Sequence, residues 1–336
     1  MSLARKIRRQ NKGIFNLPTE PKKLAALLRR SEKSFAGLYK EKEENHYFFV
    51  LEDLKRKKII GTSMLAAQHG SKSSPHVFFK IKTRLRKSKT LKITRTEKVL
   101  ELGFDSKGVS ELCALSLDPD YRGHPLKLGK LLSYIRFLYV AAHKNRFQKK
   151  MIAELAPQYS IDGQHSHLWE ALGKKFTGLD YTIADRISMT NKEFIKSLFP
   201  KGDIHIDLLP PEAQACIGQV GRQTIPVQRM LEKISFSYSK MVDPFDGGPH
   251  YSSLVEKIKP VKQSKKIKEI NFVERFVKTP RKGFLFFEKN KQNILTIQLM
   301  ADYNKKQAVL NLDPFGCEVL EKLKIDSFEE AIWLGA

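Results

Sequence analysis

Residues 109–130 read VSELCALSLDPDYRGHPLKLGK. The first nine are strongly apolar and end at Asp118-Pro119-Asp120, the pattern of a buried strand stopped by a turn. Beyond the turn, Leu128, Leu131, Leu132, Ile135, Leu138 and Ala142 recur at i, i+3, i+4 spacing, which predicts a helix over Leu126–Phe147. Met151–Ala156 then reads as a short buried strand. Strand, glycine-bearing turn, helix, strand is one α/β unit. It puts Arg122, Gly123, Gly129 and Lys130 at a helix start, where backbone N–H groups and the positive dipole end suit a pyrophosphate. Arg122, Lys127 and Lys130 would add charge-assisted contacts. The nucleotide-binding P-loop, GxxxxGK[ST], does not fit. Five residues separate Gly123 from Gly129, and Leu131 stands where a hydroxyl side chain would hold magnesium.

Outward from this unit, Leu24–Phe35 has helical spacing after the turn-like Pro18 to Pro21. His46–Leu54 and Ile59–Ala67 form a predicted hairpin, and Pro75–Leu102 is strand-like in pieces. Ser166–Phe176, Asn191–Phe199, Pro211–Ile217 and Ile225–Ile234 are expected short helices, followed by a sharp turn at Phe245-Asp246-Gly247-Gly248-Pro249. Lys257–Lys268 reads as a lysine-rich connector. The β-runs of Phe284–Leu312 predict a small β domain, barrel or sandwich. The expected boundary lies near residue 255, giving domains at 1–255 and 256–336.

The 336 residues are 41% hydrophobic and 29% charged, an ordinary globular balance. No apolar run is long enough to span a membrane. Met1–Gln10 has cations but no apolar stretch, so no secretory signal is expected. Cys113, Cys216 and Cys317 form no CxxC pair. Neither a disulfide framework nor a metal site is expected, and the setting is a reduced cytoplasm. The net charge of +25 is the outlier. Arg5–Lys33 and Lys80–Lys98 hold much of it; the second carries nine cations against Glu97. A solvated basic surface is expected rather than a nucleic-acid site, because no RNP-like motif, zinc-finger spacing or helix-turn-helix accompanies the charge.

SELCALSLDPDYRG, GKLLSYIRFLY, LWEALGKKF, EAQACIGQV, PVQRMLEK and FDGGP occur in an order and spacing that resemble the arginine N-succinyltransferase family. The likeness runs from about Gly13 to the C-terminus and is closest over residues 110–249. It implies an α/β fold, a GNAT-like acyl-CoA N-acyltransferase domain followed by a small β-barrel-like domain. It also implies succinyl transfer from succinyl-CoA to the α-amino group of arginine, in arginine catabolism. Leu115 matches the family's succinyl-CoA-binding position, and Arg122–Lys130 its pyrophosphate loop. Partners implied are the acyl-CoA, an amino acid, and further subunits, as a homo-oligomer or with a paralogous chain. No membrane partner is expected.

Four departures accompany the likeness. The loop after Arg122 is about two residues longer, with His124-Pro125-Leu126-Lys127 where the family is glycine-rich. The family's first strand and part of its first helix are expected to be missing before Met1. Asp162–Trp169 departs from the family's run. Finally, the family's Gln-Val-His-Pro, whose histidine is the proposed proton donor, is Gln219-Val220-Gly221-Arg222 here.

Acyl transfer needs a deprotonated amine, a stabilised oxyanion and an eased thiolate. Glu154 and Glu111, each on a predicted strand, are the candidate bases. His165, His167, His205 or His250 could supply the missing donor, and Gly221→His would be expected to raise kcat. Cys113 and Trp169 are expected to pack in the core. The alternative reading is a degenerate, non-catalytic relative serving as a basic binding protein.

Overall fold

The computed structural model describes residues 3–6, 17–157, 165–291 and 293–335. The basic stretch at 7–16 and the divergent residues 162–164 lie outside the described residues.

Helix α1 (Pro21–Phe35) starts on a proline at its first position, where the missing N–H costs nothing. It lies along the edge of β1 (His46–Asp53). Ser34 Oγ accepts from the His46 N–H and Ser31 Oγ from the Phe48 N–H, both at 2.9 Å, so two edge donors are satisfied by the helix. A hairpin pairs β1 with β2 (Lys58–His69), and a longer one pairs β3 (His76–Ser88) with β4 (Ile93–Asp105). Strand β5 (Val109–Leu117) is followed by helix α2 (Leu128–Ala142) and strand β6 (Lys150–Glu154). The expected α/β unit is therefore present, with the helix ending at Ala142 and residues 144–146 forming a separate 3-10 turn.

Residues 166–234 form a helical excursion. It holds α3 (Lys174–Thr177), α4 (Tyr181–Ser188), α5 (Glu193–Leu198), the two-residue strand β7 (Ile204–His205), α6 (Pro211–Cys216) and α7 (Ile225–Lys233). Helix α4 had no counterpart in the sequence reading. A π-helical turn, Trp169–Gly173, precedes α3. A Cβ at Gly173 would fall 2.3 Å from the Trp169 ring, so glycine lets the indole fold back on its own helix. Trp169 is fully buried and stacks on Phe245 at 4.8 Å, which makes it a packing residue as expected.

Strands β8 (Ser237–Val242) and β9 (Pro249–Leu254) complete a nine-stranded sheet in the order β1-β2-β5-β6-β9-β8-β3-β4-β7. Among the described residues every neighbouring pair is antiparallel except β5 with β6. The connector beyond β9 is ordered into α8 (Lys259–Gln263) and β10 (Lys265–Lys266). β11 (Glu269–Phe272), β12 (Arg281–Lys289), β13 (Asn293–Asn304), β14 (Val309–Leu312), α9 (Pro314–Lys322) and β15 (Glu330–Gly335) follow. The second sheet runs β10-β15-β12-β13-β14-β11. Its end strands do not pair with each other among the described residues, so it is an open half-barrel, not a closed one.

Helix α2 lies between the two sheets. Phe137, Leu138, Tyr139 and Val140 join one core with Leu65 and Met151 of the first sheet and Phe284, Phe286, Ile332 and Leu334 of the second. Each fully buried large apolar side chain contributes about 1.5–3 kcal/mol. A helix covered on both sides must be apolar nearly all round. That explains why its buried residues extend well beyond the single stripe read from the sequence. Among the described residues no helix is long and apolar enough to cross a membrane.

Four of the nine cations of the basic hairpin β3–β4 meet carboxylates among the described residues. Arg84 makes two bonds to Asp203 (2.8 and 3.0 Å), Arg86 meets Glu97, Arg95 meets Asp207, and Lys82 meets Glu101.

Candidate functional site

Strand β5 keeps pace with its parallel neighbour for two residues, Ser110 opposite Met151 and Glu111 opposite Ile152. Its other edge stays on β2, but with an irregularity opposite Thr62 and Met64. There Ala114 takes φ +50°, a left-handed conformation that a non-glycine residue enters at a cost. Thr62 Oγ1 donates to the Ala114 carbonyl at 3.0 Å and holds the distortion. The sheet therefore opens between β5 and β6 from residue 112 onward. Cys113, in this stretch, is buried and its thiol is pushed up by burial, as for a core cysteine.

At the end of β5, Asp118 is wholly buried and anchors the turn. It meets Lys6 at 2.5 Å and Lys58 at 2.9 Å, and Tyr121 donates to Asp53 at 2.8 Å. Gly123 takes φ +73° with open space around it, and Lys127 at φ +51° is the N-cap of α2. Among the described residues no side chain caps this helix, so its first N–H groups face outward with the positive dipole end. Arg122 and Gly123 are exposed here, Gly129 and Leu115 half-buried. Lys130 makes a further contact. Its ammonium sits over the rings of Tyr134 (4.9 Å) and Phe284 (5.3 Å), tying the helix to the second sheet.

On the other side of the opening, Met151, Ala153 and Leu155 join the core with α2. By strand alternation Glu154 faces the opposite side. Glu111 and Glu154, the two sequence candidates, converge on one cluster of three histidines. His69 Nδ1 lies 2.9 Å from Glu111 Oε2. Nε2 of His76 is 3.2 Å, and Nε2 of His250 3.5 Å, from Glu154 Oε1. Neither contact is aligned as a hydrogen bond. Both buried nitrogens, and His250 Nδ1, lack a hydrogen-bond partner among the described residues. The rings of His69 and His76 are 4.7 Å apart, and those of His76 and His250 stack at 5.3 Å.

The electrostatics follow from this packing. Burial opposes a charge on His69, but the Glu111 carboxylate outweighs it and holds the imidazole above its ordinary value. Burial pushes His250 down to about 4, so it is uncharged at neutral pH. Burial also works against the Glu154 charge, yet the surrounding imidazoles, His250 first, then His76 and His69, hold that carboxyl well below the usual range. Nearby Asp243 is raised well above its ordinary value by burial and by Asp246.

Of the sequence-chosen histidines only His250 belongs to the cluster. His205 pairs with Glu97 at 3.3 Å on the end strand of the sheet, and His165 and His167 are exposed. His69 and His76 were missed. Their one sequence signal is that they flank the turn-rich GSKSSP run between two strands. Gly221 donates its N–H to Ala156 O at 3.0 Å, two residues past Glu154. The position without the family's histidine thus borders the strand that carries the candidate base.

The family model for the arginine N-succinyltransferase beta subunit matches residues 1–260. The chain is 37% identical over 259 residues to an arginine N-succinyltransferase of Yersinia enterocolitica, covering 77% of this chain and 74% of that one. It is 36% identical over 254 residues to the enzyme of that name from Enterobacter sp., covering 75% and 72%. A solved structure, arginine/ornithine succinyltransferase subunit AI from Pseudomonas aeruginosa, superposes with a TM-score of 0.76 at 25% identity. That match covers 95% of this chain and 90% of the other.

Proposed function

This chain belongs to the arginine N-succinyltransferase family, and on that footing we propose that it transfers a succinyl group from succinyl-CoA to the α-amino group of arginine. The observation that carries the reading is the opening between the parallel strands β5 and β6. It has an uncapped helix start at one end and the Glu111–Glu154–histidine cluster beside it. We read the nine-stranded part as a GNAT-like domain and the boundary to the second sheet as lying near residue 255. The enzyme acts in the cytoplasm, as a homo-oligomer or beside a paralogous subunit.

In this mechanism the helix start, Arg122 and Gly123 hold the CoA pyrophosphate, and Leu115 lies along the acyl chain. Glu154, held ionised by the imidazoles around it, pairs with the arginine ammonium and passes its proton on to them. The amine lone pair attacks the thioester carbon, the C–S bond breaks, and an amide forms. The second amine proton leaves, and the thiolate takes up a proton. Thiolate is a good leaving group, since thiols ionise near pH 8.5. His69, whose charged form Glu111 favours, stabilises developing negative charge, and His76 and His250 relay protons from Glu154. These three imidazoles stand in for the side chain absent at Gly221.

A thiol-release assay across acyl-CoAs and amines tests the proposal. Succinyl-CoA with arginine should give the highest kcat/KM. No thiol release with any pair, together with melting stabilised by nucleic acid instead of CoA, would overturn it in favour of a binding protein.

The loop makes a sharper prediction. Arg122→Ala should weaken CoA binding by about 1–3 kcal/mol, the range for a charge-assisted bond. Lys130→Ala should leave CoA affinity nearly unchanged and lower stability by about 0.5–2 kcal/mol, because its charge rests on two aromatic rings. Calorimetric titration beside thermal unfolding separates the two. Equal losses of CoA affinity would show that Lys130 leaves the rings to bind phosphate.

A further inference from the structure

The histidine cluster has more ligating atoms than proton transfer requires, and several face one another unpaired. His69, His76 and Glu154 each offer one ligand atom, and these atoms lie within 4.8 Å of one another. The His76–Glu154 separation of 3.2 Å is close to the edge of a tetrahedron of ligands about 2.0–2.1 Å from a zinc ion, roughly 3.3 Å. His76 is 2% exposed and its Nε2 has no aligned hydrogen-bond partner among the described residues. A buried polar atom left in this state is destabilising, so the site calls for a further group.

We propose that His69, His76 and Glu154 form a binding site for one borderline divalent cation such as Zn²⁺, with the fourth position open to solvent.

The surroundings of His69 fit this use. Its Nδ1 is engaged by Glu111 at 2.9 Å, which leaves Nε2 as the free nitrogen. A carboxylate behind a ligating histidine fixes its tautomer and raises its basicity. Access exists, because the side chains of His69 and Glu154 keep 26% and 28% of their surface exposed. Imidazole and carboxylate together favour zinc over the hard cations calcium and magnesium. A second set, Glu154, Asp243 and His250, shares the same carboxylate. It is the poorer site. Asp243 Oδ1 already accepts from the Phe245 and Asp246 N–H groups, at 2.7 and 3.1 Å. The ion would occupy the carboxylate that the acyl-transfer reading gives to the amine, so the two compete.

The inference rests on the side chains alone and not on the acyl-transfer reading, and its test uses no acyl-CoA. The tag-free full chain, treated with a chelator and dialysed, is titrated with Zn²⁺ and with Co²⁺. One equivalent of zinc should bind, and cobalt should give the intense visible spectrum of a tetrahedral site. His69→Gln and His76→Asn should each weaken zinc at least tenfold. Glu111→Gln should weaken it by about 10–100-fold, as loss of a supporting carboxylate does. His205→Asn, on the far strand, should change nothing. If His76→Asn does not fold by circular dichroism, the His69→Gln and Glu111→Gln results decide. Zinc binding that is unaltered in His69→Gln and Glu111→Gln, or an absence of stoichiometric binding to the wild-type chain, would overturn the proposal.

Discussion

Glu154→Gln is expected to lower kcat about 10²–10⁴-fold, the contribution of a placed proton acceptor, while leaving the affinity for CoA unchanged. Glutamine has nearly the same shape as glutamate, so the opening between β5 and β6 should survive the exchange. What disappears is the negative charge that faces His69, His76 and His250. The loop proposed to hold CoA, Arg122–Lys130, lies at the other end of the opening, and among the described residues no hydrogen bond or ion pair joins it to this carboxyl. Turnover and CoA affinity should therefore separate cleanly. Glu111→Gln should act more mildly, because it works through His69 instead of meeting the amine. A Glu154→Gln enzyme with kcat within a few-fold of wild type would remove Glu154 from the chemistry.

Gly221→His is expected to destabilise the protein by about 1–3 kcal/mol, the usual cost of overpacking, and not to raise kcat. This is the opposite of the expectation drawn from the family's histidine. A Cβ on Gly221 would lie 2.5 Å from Pro157 O, 2.8 Å from Pro157 C and 3.2 Å from Ala156 O. These are backbone atoms, which cannot swing aside as a flexible side chain can. The Gly221 N–H also donates to Ala156 O, so the glycine is held against the chain leaving β6. Any side chain must push that segment, and with it Glu154. Gly221→Ala isolates the effect, since it adds the Cβ without an imidazole. Both variants should melt a few degrees lower than wild type. A Gly221→His protein as stable as wild type and faster in thiol release would show that the loop accommodates the ring and that the family's donor had been restored.

The unit at residues 109–154 was legible because its signals are local. An apolar run stopped by Asp118-Pro119, a glycine at the turn and a helical repeat depend only on neighbours along the chain. The same reasoning found Glu111, Glu154 and the exposed loop at Arg122. It could not find the cluster that gives those carboxylates their setting. His69 and His250 are 181 residues apart in sequence, and nothing local marks either one. Only the sheet order, which sets β9 beside β6, puts His250 directly opposite Glu154.

Lys130 and Gly221 show the same division from the other side. By sequence, Lys130 stood at a phosphate site. The second sheet brought Phe284 against it, and a cation held over two rings keeps less freedom to reach a ligand. Gly221 read as a missing catalytic group, but in this chain the Pro157 backbone approaches so closely that a Cβ there would have to displace it. By itself the sequence determined the strand-turn-helix unit, the family likeness and the two candidate carboxylates. Their local patterns are set by covalent spacing and by periodic burial. The tertiary structure alone decided the histidine partners, the second face of α2 and the room at residue 221, because contacts between distant segments depend on how the sheets pack.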